Sequence, residues 1–189
     1  MTASITLILP GLYNSGPDHW QTRWERMDPE CTRVVQKEWI RPRCADWVET
    51  LDQAIRRTER DVVLVGHSSA CALVAHWTAI AESESLARVR GALLVAPSDP
   101  EGPNYPLGPS DFAPMPRRRL PFPSTLVASA NDQYVDLEQA RAYAEAWGSA
   151  FVEIGDAGHI NGESNLGAWP AGYELLKALR DAGRRTRIA

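Results

Sequence analysis

Short apolar runs rich in branched residues recur along the chain, at 5–9 (ITLIL), 34–35 (VV), 62–65 (VVLV), 92–95 (ALLV), 125–128 (TLVA) and 151–154 (FVEI). Most are continuous rather than alternating, the pattern of strands covered on both faces in a parallel sheet. Longer amphipathic segments lie between them, at 18–27, 45–57, 69–82, 136–147 and 168–179. Trp20 and Trp24 stand four apart, as do Trp47 and Leu51, so each pair shares one helical face and is expected to pack against the sheet. Strand and helix in alternation predict an α/β protein: a three-layer α/β/α sandwich around a mostly parallel sheet.

The 189 residues suit one domain, taken as residues 1–189, and a chain of this size buries roughly 70% of its unfolded surface. The stretch 97–123 breaks the pattern, because prolines recur through it and neither periodicity holds. It is expected to be an irregular surface loop near the carboxyl ends of the strands, where ligand sites form in open α/β sheets. Phe112 and Met115 are expected to border a pocket beneath it.

Charge narrows the range of partners. A net charge of -4 and a pI near 5.6 offer no broad positive field, so no nucleic-acid partner is expected. Arg117 to Arg119 read as a solvated loop, and the arginines after Arg180 as cations at the end of a last helix. Cys31, Cys44 and Cys71 are odd in number and lack paired metal-ligand spacing, and no HExxH or CxxC occurs. No metal and no cofactor are expected. The first residues show no basic region followed by a long apolar stretch, and the run at 5–9 is too short to span a bilayer. A cytoplasmic protein with reduced thiols and no membrane partner is the expectation.

Directly after the strongest strand signal comes Gly66-His67-Ser68-Ser69-Ala70, and a helix opens near Ser69. Strand, tight turn and helix are the context of a nucleophile elbow, which needs small residues where the backbone is strained and the two elements approach closely. Ser68 is the candidate nucleophile. Ser69 is the competitor, and the plain structural role for either serine is to cap the helix.

In that architecture the acid and then the base follow the serine along the chain. His19, His67 and His76 fall too early, which leaves His159, in the glycine-flanked segment Gly155-Asp156-Ala157-Gly158-His159. Asp132, after the strand at 125–128, is the candidate acid; Asp99 and Asp136 are alternatives, and Asp156 is too near His159 for a comfortable reach. Attack on a carbonyl also needs donors aimed at the developing oxyanion. The backbone N–H groups of Ser69 and Leu12 are the candidates, with Tyr13 and Asn14 in the same loop as candidate substrate contacts. Gly11 and Gly16 hint at a phosphate loop, but Pro17 stands where its lysine would begin.

Four blocks carry a family resemblance: Leu9-Pro10-Gly11 with Asn14-Ser15-Gly16-Pro17-Asp18-His19-Trp20; Gly66-His67-Ser68-Ser69; Leu120-Pro121-Phe122-Pro123 running on to Asn131-Asp132; and Gly155 to Asn161 with Trp169-Pro170. The chain resembles the retinoblastoma-binding protein 9 and YdeN-like serine hydrolases, a branch of the α/β-hydrolase superfamily. The resemblance implies a small α/β-hydrolase fold without a large lid, and a nucleophile, acid and base at Ser68, Asp132 and His159. Ala70 departs from the glycine common in that family. The expected activity is hydrolysis of a small carboxylic ester, or of a thioester or amide, with a small acyl compound as partner. The rival reading is a binding or scaffold protein that keeps the fold without turnover.

Overall fold

The computed structural model describes residues 4–106 and 110–185. Six strands, β1 (Ile5–Leu9), β2 (Cys31–Arg33), β3 (Val62–His67), β4 (Val89–Val95), β5 (Ser124–Ala128) and β6 (Ala150–Glu153), form one sheet in the order β2-β1-β3-β4-β5-β6. All five pairings are parallel. Successive residues of a strand point to opposite faces, so continuous apolar runs feed two cores at once. Leu7, Leu64, Leu94 and Leu126 enter one core, whereas Ile8, Val63, Val65, Leu93 and Val127 enter the other.

Helices α2 (Cys44–Arg57), α3 (Ser69–Ile80) and α5 (Leu137–Trp147) cover the first face, through Trp47, Leu51, Ile55, Trp77, Tyr143 and Trp147. Helices α1 (Trp20–Met27) and α6 (Pro170–Arg185) cover the second, through Trp20, Trp24, Leu176 and Leu179. Short α4 (Ser83–Arg88) leads into β4. The tryptophans of α1 pack, as expected, and their indole N–H groups find carbonyls: Trp20 donates to Ile160 at 2.7 Å and Trp24 to Ala168 at 2.6 Å.

Two elements differ from expectation. The second strand ends before Val34-Val35; Val34 turns into the core, while Val35 is exposed. The segment 69–82 is not one helix, because α3 stops at Ile80 and α4 begins at Ser83. α6 opens on Pro170, whose missing N–H costs nothing at a first helical position.

The chain leaves β1 toward β2 on one side and returns to β3 on the other. That reversal opens a crevice beyond the carboxyl ends of β1 and β3, where open parallel sheets bind ligands. The loop after β1 and the turn after β3 meet there.

Candidate active site

Ser68 sits between the end of β3 and the start of α3 with φ 61° and ψ −128°. A side-chain-bearing residue pays for such a backbone conformation, and strain of this kind persists only where the surroundings hold it. Here Ser68 N–H donates to the Val95 carbonyl at 3.0 Å, and its own carbonyl accepts from Cys71 N–H at 3.0 Å. A Cβ on Gly66 would lie 3.2 Å from the Ala70 carbonyl oxygen, so the close approach of strand and helix falls on position 66. The methyl of Ala70 is buried in the first core, which accommodates the departure from glycine.

The structure brings Ser68, His159 and Asp132 together. His159 Nε2 lies 2.9 Å from Ser68 Oγ, and His159 Nδ1 lies 2.8 and 3.0 Å from the two Asp132 carboxylate oxygens. A carboxylate accepts, so Nδ1 carries the hydrogen, Nε2 offers its lone pair, and Ser68 donates to it. The arrangement suits proton transfer from the hydroxyl to the imidazole, with the carboxylate fixing the tautomer.

The competing residues are engaged elsewhere. Ser69 Oγ pairs with Tyr105 Oη at 3.2 Å, Asp99 accepts from Tyr143 Oη at 2.8 Å, and Asp136 caps α5 by accepting from Gln139 N–H at 2.7 Å. Asp156 is exposed.

The two loops that carry Asp132 and His159 are fastened to each other. Ser129 Oγ accepts from Ala157 N–H at 2.9 Å, and Asn131 Oδ1 accepts from Gly158 N–H at 2.7 Å. Gly155 and Gly158 adopt φ 72° and 59°, the left-handed region that glycine enters without steric cost. His67, at the end of β3, holds the second loop as well, with its Nε2 donating to the His159 carbonyl at 2.9 Å.

The loop after β1 runs against Ser68. A Cβ on Gly11 would stand 2.7 Å from Ser68 Cβ, so only glycine permits this approach. Gln21, fully buried, donates to the Leu9 and Val65 carbonyls at 3.2 Å each and accepts from Ser15 Oγ at 2.6 Å, which anchors the loop to the strand ends. The N–H groups of Leu12 and Ser69 have no hydrogen-bond partner among the described residues.

A cleft of about 470 Å³ opens over Ser68 and His159, bounded by Leu12, Tyr13, Asn14, Pro106, Tyr134 and Glu163. Tyr13 and Asn14 therefore line it, although Asn14 Oδ1 is already taken by Arg33 and Ser15 N–H at 2.8 Å each. Phe112 and Met115 do not line it. Both are buried in the first core, and the Phe112 ring meets Trp47 edge-on, so these two side chains turn inward instead of bordering the cleft. Of its described residues, Pro106 borders the cleft.

His19 and His67 also line the cleft. Burial first, then the charges of Arg33 and His159, lower His19 from 6.5 to about 3. Burial, followed by the neighbouring His19 and His159, pushes His67 well below its ordinary value. Both stay neutral near pH 7. Since His67 Nε2 faces a carbonyl, it holds the hydrogen, and Nδ1 is left as an acceptor.

The serine hydrolase family model matches residues 6–178. The chain belongs to the serine hydrolase family. Among solved structures, this serine hydrolase is similar to a YdeN-like hydrolase from Pectobacterium atrosepticum, at 29% identity and TM-score 0.85 over 96% of this chain and 92% of that one. It also matches the ydeN gene product of B. subtilis, at 18% identity and TM-score 0.74 over 93% and 98%. A thermophilic esterase from Thermogutta terrifontis aligns at 14% identity and TM-score 0.69 over 96% and 91%. At those last two identities the likeness is one of fold. No curated protein matches by sequence.

Ser98 was not among the candidates from the sequence, yet its hydroxyl lies 2.8 Å from Ser68 Oγ. Nothing in the local pattern marks it. His67, Ser129 and Asn131 were equally hidden, because their partners are 92, 28 and 27 residues away. Among the described residues, no helix is long and apolar enough to cross a membrane.

Proposed function

We propose that this serine hydrolase cleaves a small carboxylic ester through an acyl-enzyme on Ser68, with His159 as general base and acid and Asp132 as its orienting carboxylate. The observation that carries the reading is the unbroken chain of contacts from Ser68 Oγ through His159 to Asp132, at 2.9 and 2.8 Å. As Ser68 Oγ bonds to the acyl carbon, its proton passes to His159 Nε2 and the carbonyl electron pair moves onto oxygen. The N–H groups of Leu12 and Ser69 receive that oxygen. Collapse expels the alcohol oxygen, which takes the proton from Nε2. Water then repeats the sequence in reverse roles and frees the acid. Tyr13 and Asn14 border the bound substrate. The free, buried thiols of Cys31, Cys44 and Cys71 support a reducing compartment such as the cytoplasm.

Labelling with a fluorophosphonate, followed by peptide mapping, tests the assignment. Modification is expected at Ser68, and modification at Ser69, or none in the folded protein, overturns it.

A further inference from the structure

Ser98 is buried, and its hydroxyl lies 2.8 Å from Ser68 Oγ. Ser68 Oγ is its only hydrogen-bond partner among the described residues. The direction of the bond follows from the chain of acceptors. Asp132 accepts from His159 Nδ1, so Nε2 is a lone pair, and the single hydroxyl hydrogen of Ser68 goes there. Ser98 must therefore donate. Its placement is held from both sides: Ala96 turns at φ 48°, its N–H donates to the Val127 carbonyl at 2.8 Å, and Asp99 N–H donates to the Tyr134 carbonyl at 3.0 Å.

We propose that Ser98 is a further catalytic residue, whose hydroxyl donates a hydrogen bond to Ser68 Oγ when that oxygen is the leaving group of deacylation. The proposal rests on the acyl-enzyme reading. In the acyl-enzyme, Oγ is an ester oxygen and a poor acceptor. When the second tetrahedral intermediate collapses, the bond from the acyl carbon to Oγ breaks and its electron pair stays on Oγ. His159 Nε2 returns the proton to Oγ, and Ser98 keeps its own hydrogen throughout. A donor aimed at Oγ binds the departing, charge-bearing oxygen more tightly than the ester oxygen, and only such differential binding accelerates the step. Attack by the free hydroxyl gains less, because Oγ already accepts this bond before reaction.

The test separates the two half-reactions in wild type and in the variants Ser98→Ala, Ser98→Thr and Ser98→Cys. Pre-steady-state release of p-nitrophenolate from p-nitrophenyl acetate reads acylation, and the loss of the acetyl mass from Ser68 reads deacylation. Ser98→Ala is expected to slow deacylation by about 10- to 100-fold, the range for losing one hydrogen bond to a charged group. Acylation should change by no more than about threefold, a loss of under 1 kcal/mol. Thr keeps the hydroxyl and should restore deacylation; Cys, with its weak donor, should fall between. Unchanged deacylation in Ser98→Ala overturns the proposal, as does an equal loss of both steps in Ala and Thr, which would mark Ser98 as packing. If wild type forms no acetyl adduct and takes no fluorophosphonate, the acyl-enzyme reading fails and this proposal fails with it.

Discussion

His67 donates from Nε2 to the backbone carbonyl of His159 at 2.9 Å, so the residue before Ser68 holds the loop that carries His159. The tie is made by a neutral, buried imidazole, and this makes the fold sensitive to acid. His67 and His19 both titrate far lower in the folded chain than in the unfolded one, chiefly through burial. Below about pH 6.5 the unfolded chain binds protons that the folded chain refuses. Stability from these two groups is complete above that pH and drains as pH falls toward the value of about 3 for His19. Each histidine contributes a slope of about 1.4 kcal/mol per pH unit.

Urea unfolding between pH 7 and 5 reads that slope. His67→Gln keeps an amide donor for the carbonyl and removes one titrating group, so its stability should fall less steeply with acid than that of the wild type. An unchanged slope would show that His67 does not supply the proton uptake. Asp28, lowered to about 2 by its hydrogen bonds and by Arg180 against the opposing effect of burial, acts below this window.

Phe112 belongs to the core, where its ring packs against Trp47 and its backbone carbonyl pairs with His76 Nε2 at 2.8 Å. Phe112→Ala should therefore cost about 3–5 kcal/mol of stability. Its preference among ester chain lengths should stay that of the wild type. A shifted urea midpoint with an unshifted chain-length profile is the expected pair of results. A changed profile at unchanged stability would return the residue to the pocket.

The sheet was legible because its strands are buried on both faces and so read as unbroken apolar runs. The elbow was legible for a related reason: β3 and α3 flank Ser68 directly, and local context alone marks a strained turn. Asp132 and His159 could be chosen because chain order and strand ends limit the candidates. Phe112 and Met115 were misjudged because a proline-rich segment without periodicity resembles a surface loop, whether or not its large side chains turn inward. Ser98 carried no signal at all, since a single hydroxyl acquires its role only when β4 and β3 lie side by side.

The pairing of His159 with Asp132 is central to the proposed chemistry, and two carboxylates allow it to be tested against a matched control. Asp132 is within 2.8 Å of the imidazole, whereas Asp99, the other carboxylate after a neighbouring strand, is held by Tyr143. Replacing Asp132 with asparagine leaves the shape and removes the charge and the preferred tautomer, a change that lowers turnover by about 10⁴ in a triad of this kind. The decisive measurement is kcat for p-nitrophenyl acetate in Asp132→Asn and Asp99→Asn, with folding checked by circular dichroism. A loss of several orders of magnitude in Asp132→Asn beside near-normal turnover in Asp99→Asn is the predicted result; near-normal turnover in a folded Asp132→Asn would contradict it.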